Sequence, residues 1–196
     1  MTKIILLEEL KRFTLAATQG VLLPVAFQSG DAEPPAPRAP EVHLMRLPQM
    51  NAWKKKAPYI THQALQWLDV WKPGQPPRSR MVVRSCFCVY NLNESEGELS
   101  LLNLMERLRI ALLEAGRLKG PFILDLDDHP GNEAGVEGMI YPDNVAPYYA
   151  GEMMTAWRLP AVERKLPHGK ENVDHRGGGY PGTPGGGYPG TPGGGL

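Results

Sequence analysis

Residues 95–118, SEGELSLLNLMERLRIALLEAGRL, decide the fold. Ser95 and Glu98 stand at capping-box spacing: the serine oxygen can accept from the amide three residues on, and the glutamate can return to the serine amide. Behind them Leu101, Leu104, Met105, Leu108, Ala111, Leu112 and Ala115 recur every three or four residues, while Glu106, Arg107, Arg109 and Glu114 take other positions. That period gathers the apolar side chains on one face of a helix. Gly116, then Gly120 with Pro121, supply the stop. On either side lie apolar strand segments, Arg80 to Tyr90 before the helix and Phe122 to Leu126 after it. A helix with one apolar face, set between two strands, needs a sheet to pack on, and Leu101, Leu104, Leu108 and Leu112 are the residues expected to hold it there.

Working outward, residues 3–19 carry Ile4, Leu7, Leu10 and Leu15 at helical spacing, and Gly20 with Pro24 ends that run. From residue 30 to residue 40 the composition turns to Asp, Glu, Ala and Pro, the signature of an exposed proline-rich arm. Val42 to Leu47 reads as a short strand, and Tyr59 to Trp71, rich in aromatic and branched residues, as a longer one. The Pro73-Gly74 and Pro76-Pro77 pairs enforce a turn into Arg80 to Tyr90, whose near-continuous apolar character predicts a central strand buried on both faces. Met139 to Tyr141 and Gly151 to Leu159 complete the set, the last alternating through Met153, Thr155 and Trp157. The order α, β, β, β, α, β, β, β defines an α+β fold: a mostly antiparallel sheet packed by two main helices, with long loops.

The domain is expected to span residues 1–168. Residues 169–196 are of low complexity, with GGGYPGTP at 177–184 and again at 185–192. Such a unit offers only tyrosine as apolar surface and cannot build a core of its own, so a disordered or extended tail is expected. Tyr180 and Tyr188 are then two identical groups able to order on a partner.

Chemistry is harder to find. The chain of 196 residues holds 21 Lys plus Arg against 21 Asp plus Glu, and no run of five like charges, which favours neither a nucleic-acid footprint nor an anionic membrane partner. No apolar run approaches the ~20 residues of a membrane span, and the chain reads as soluble and cytoplasmic, without a signal peptide. Cys86 and Cys88, two apart on a strand, share a face and are expected to be reduced core thiols. G-x-S-x-G, Walker, G-x-G-x-x-G and H-E-x-x-H motifs are all missing, and no two histidines stand at i, i+4. A thiolate of Cys86 or Cys88 with His62 as base would require the fold to bring them together. Asp125, Asp127, Asp128 and His129 resemble a metal cluster, but an EF-hand loop beginning at Asp125 would need Glu where Val136 stands, so a polar strand end is expected instead. No enzyme activity, catalytic residue, cofactor or metal is expected. Interface material is: Trp53 with Lys54, Lys55 and Lys56 in one loop, and the pair Tyr148 and Tyr149.

Three segments, RLPQMNAWKKKAPYITHQ (46–63), NLNESEGELSLLNLMERLRIALLEAGRLKGPFILD (91–125) and YYAGEMMTAWRLPAVER (148–164), carry a resemblance. Together they resemble small proteins of the tail modules of long-tailed bacteriophages, similar in layout to the tail terminator, or tail completion, family. The resemblance spans roughly residues 42–164. It implies a structural virion protein of the tail and neck, present in the host cytoplasm during assembly. Such a subunit forms a ring with copies of itself, usually a hexamer, on the head-proximal end of the tail tube. There it ends polymerisation of the tail tube protein and presents a surface to the head connector or stopper protein. No membrane and no sequence-specific nucleic acid is implied, only DNA passing through the ring. Head-completion and stopper proteins of the same neck would share these features, and an adaptor docking a partner through its C-terminal repeat is a different class. The proline-rich arm and the glycine-tyrosine tail depart from the family pattern.

Overall fold

The computed structural model describes residues 3–27, 33–48, 57–127 and 135–162. Eight elements follow in the expected order: α1 (Lys3–Thr18), β1 (Glu41–Leu44), β2 (Tyr59–Val70), β3 (Arg78–Tyr90), α2 (Glu94–Ala115), β4 (Ile123–Leu124), β5 (Val136–Ile140) and β6 (Tyr148–Leu159). They form an α+β fold, two helices with a six-stranded sheet of order β1-β2-β3-β6-β4, in which β5 also pairs with β6. All strand pairs are antiparallel except β1 with β2.

α2 begins one residue before the expected cap. Asn93, in extended conformation, accepts from the amides of Ser95 and Glu96 at 3.1 and 3.4 Å. The capping-box spacing of Ser95 and Glu98 is therefore not used as expected: Asn93 is itself a strong cap and reaches the orphan amides first, placing Glu94 and Glu96 in the first turn where the helix dipole favours acids. At the other end Gly116 takes φ 61°, the left-handed cap open to glycine at little cost, and its N–H donates to Leu112 O at 2.9 Å. Between the caps Leu101, Leu104, Leu108 and Leu112 are fully buried and join one core with Leu6, Leu7 and Leu10 of α1 and with β3 and β6. Each contributes on the order of 2 kcal/mol by leaving water.

β3 is central, with β2 on one side and β6 on the other, but it is buried on both faces only at its end. Met81, Val83, Ser85, Phe87 and Val89 face the helices and are buried; Arg80, Val82, Arg84 and Cys86 on the far face are half-buried. Both helices cover the same face, so the far face is closed only where Ala26, Phe27, Ala57, Tyr59 and Tyr148 pack on Cys88 and Tyr90. The part of the proline-rich arm that is described, residues 33–40, is exposed through residue 37, becomes buried by Pro40, and touches the body through paired backbone hydrogen bonds between Leu23 and Arg38, both 3.0 Å. No helix among the described residues is long and apolar enough to cross a membrane. The chain divides at residues 163 and 164, and the expected domain end near 168 lies outside the described residues.

Candidate functional site

The sheet separates the groups that a thiol-based enzyme would need together. His62 pairs across the sheet with Ser85, and Thr61 with Cys86, so His62 points toward the helices while Cys86 and Cys88 lie on the far face. On the helix side His62 Nδ1 lies 2.8 Å from Ser85 Oγ and Nε2 lies 2.9 Å from Thr14 Oγ1. All three residues are at most 1% exposed. Burial holds the imidazole down to about 3, so at neutral pH the ring donates from one nitrogen and accepts at the other, satisfying both hydroxyls. This chain of bonds ties α1 to β2 and β3 in a region closed to water.

The far face carries a row of polar groups across β2, β3 and β6, closed by Tyr141 just past the end of β5. Gln63 Oε1 accepts from Arg84 Nε and Nη2 at 3.0 and 2.7 Å, Arg84 Nη1 lies 3.7 Å from Glu152, and Tyr141 donates to Glu152 at 2.8 Å. Burial, reinforced by the Glu152 carboxylate, pushes the Tyr141 phenol up to about 12. Burial raises both thiols, Cys88 to about 11, and neither is in a disulfide. Cys88 is the core thiol the sequence suggests; Cys86 is half-buried on the open face.

Asp125 is 1% exposed at the end of β4 and takes Arg80 Nε at 3.0 Å and Arg158 Nε at 2.8 Å, while Asp127 contacts Arg158. Two guanidinium groups therefore face its carboxylate, and the described residues contain no group of three or more His, Cys, Asp or Glu able to hold a metal. Asp128 and His129 lie outside the described residues.

Among the expected interface residues, Trp53, Lys54, Lys55, Lys56, Tyr180 and Tyr188 lie outside the described residues. Tyr148 is half-buried, edge-on to Tyr90 with ring centroids 5.4 Å apart. Tyr149 requires correction: it is 2% exposed and belongs to the chain's own core, because neighbours on a strand point to opposite faces and its face is the one under α2. Its ring lies so close to α2 that a Cβ on Gly97 would come within 2.0 Å of it.

The exposed apolar surface lies elsewhere. Leu65, Trp67, Leu68 and Trp71 are 45–59% exposed, at the end of β2 and just beyond it. β1 lines β2 only from Tyr59 to His62. It stops because Met45 adopts φ 63°, a left-handed backbone uncommon outside glycine, which turns the chain away after its N–H has donated to His62 O. Leu65 is an extra residue at a β-bulge between Ala64 and Gln66. On the flank away from β3, no strand among the described residues lies beside Leu65 to Val70. At the opposite side of the sheet, β5 pairs among the described residues with β6 alone, whereas the neighbouring β4 is covered by Arg117. α2 also exposes Leu99, Leu102, Ile110 and Leu113, but Arg107 and the Glu106–Arg109 ion pair at 2.8 Å interrupt that stripe. The β2 surface had one sequence signal: Leu65, Trp67 and Leu68 place apolar groups on both parities of a strand, which a single core face cannot absorb.

No family model and no curated protein matches the chain.

Proposed function

We propose that the chain is a structural subunit of a long-tailed phage virion, a tail terminator that rings the head-proximal end of the tail tube and ends its growth. The observation that carries the proposal is the three-segment resemblance over residues 42–164. An α+β subunit whose sheet, among the described residues, leaves a flank open at each side is compatible with it, since such edges are sites of strand addition between molecules. In this role the chain contributes surface and geometry: one ring face seats on the last turn of tube subunits and the other remains for the connector.

The test is tube growth. The tail tube protein encoded with this chain is polymerised with and without the full chain, and tube lengths are measured by negative-stain microscopy. Under the proposal, amounts of chain far below the tube protein halt elongation, with extra density at one tube end. Unchanged length distributions with bare ends would overturn it.

A further inference from the structure

We infer that copies of this chain join head to tail, the open flank of β2 in one copy lying along the open flank of β5 in the next. The inference deepens the assembly reading above and rests on it.

Strand direction allows the join, with the second copy displaced along the strands, because the ladders set Val136–Ile140 level with Ala64–Ile60 and the open stretch lies beyond them. β2, β3, β6 and β5 are successively antiparallel, so β5 runs opposite to β2. A second copy that continues the sheet with its strands in the same sense therefore presents its β2 antiparallel to β5, the more favourable pairing. The lengths agree: β5 has five residues, and the open stretch Leu65 to Val70 can accept them.

The surfaces also agree in chemistry. Trp67 pairs with Met81 and so lies on the helix side of the sheet, whereas Leu68 pairs with Arg80 on the far face, so apolar groups bracket the edge from both sides. Met139 of β5 pairs with Glu152, which places it on the same far face as Leu68, and it is 50% exposed. Leu65, Trp67, Leu68 and Trp71 together expose on the order of 400 Å², about half of the ~800 Å² per partner that a stable interface buries, before backbone pairing and Met139 are added. Natural edges are blunted by lysine, proline or short length, but the only charge between Leu65 and Val70 is Asp69, held by Lys3 at 3.1 Å and by the Ser79 hydroxyl.

Charge sets the register. In the antiparallel join with Leu68 against Met139, Val70 meets Glu137, which places exposed Lys72 diagonal to exposed Glu137. Because the two flanks are different surfaces, each copy offers one of each, and the contact repeats from copy to copy, giving a ring where its rotation closes. A two-fold β2-to-β2 contact would instead use one flank twice.

Light scattering on the full chain tests this with two exposed-site variants. Leu68→Glu places a carboxylate beside Arg80 within its own sheet but diagonal to Glu137 across the join; Met139→Lys places an ammonium beside Glu152 but against Leu68. The wild type is expected at a multiple of 21.6 kDa and each variant at 21.6 kDa, while a 1:1 mixture recovers the wild-type mass through one native and one Glu–Lys join. Circular dichroism matching the wild type confirms that the variants are folded. A wild type that stays at 21.6 kDa at high concentration, a Met139→Lys variant that assembles like wild type, or a mixture that stays monomeric overturns the inference. If the masses behave as expected but tubes are not capped, the join stands and the terminator role falls.

Discussion

The buried histidine sets a pH dependence that can be worked out in advance. Unfolded, His62 titrates at the ordinary 6.5; folded, burial holds it down to about 3. Above pH 6.5 the ring is neutral in both states, and its contribution to folding is fully present. Between 6.5 and about 3 the unfolded chain binds a proton that the folded chain refuses, so stability falls as pH falls, by about 1.4 kcal/mol per unit. Below about 3 both states are protonated, and the accumulated loss levels off near 5 kcal/mol. Asp69, held below its ordinary 3.8 chiefly by the Ser79 hydroxyl, is lost only below that value and leaves the window from 6.5 to 4.5 clear. The perturbation is His62→Gln, which removes the titration but keeps a donor and an acceptor, and the assay is urea unfolding at pH 7, 6 and 5. The variant will be less stable at pH 7 because it loses packing, so the quantity read is the change with pH. Between pH 7 and 5 the wild type should lose about 2 kcal/mol more than the variant. Parallel curves would refute the reasoning, since they would mean that His62 accepts a proton while folded.

Two further predictions concern packing and charge. Gly97→Ala forces the Tyr149 ring off α2 and should cost about 3 kcal/mol, a fall of roughly 6–12 °C in Tm, part of it recovered when Tyr149→Leu is added; an unchanged Tm would show that the ring has room. Asp125→Ala leaves the largely buried Arg80 without its carboxylate and should lower stability by about 3 kcal/mol, read from the urea midpoint, and a shift below about 0.5 kcal/mol would mean that water already solvates Arg80.

The sequence by itself determined what depends on neighbours close along the chain. The leucine period from Leu101 to Leu112, the stop at Gly116, the alternation Met153, Thr155, Trp157 and the order of elements are local patterns, because a helix or strand repeats every few residues and its ends are chosen by caps nearby. Even there the choice between Asn93 and Ser95 as cap was open, since both are good acceptors within one turn. Only the tertiary structure decided which face each strand shows and what lies beside it. His62 reads as one more polar strand residue until Thr14, 48 positions away, and Ser85, 23 away, close on it. Asp125 reads as a polar strand end, and only the fold brings Arg80 and Arg158 to it from two other strands. The candidate surface at Leu65 to Trp71 exists because Met45 turns β1 aside, and no rule of local spacing says where a neighbouring strand will stop. Pairing and burial are set by the free energy of contacts between distant segments, and that information becomes legible only when the chain has closed on itself.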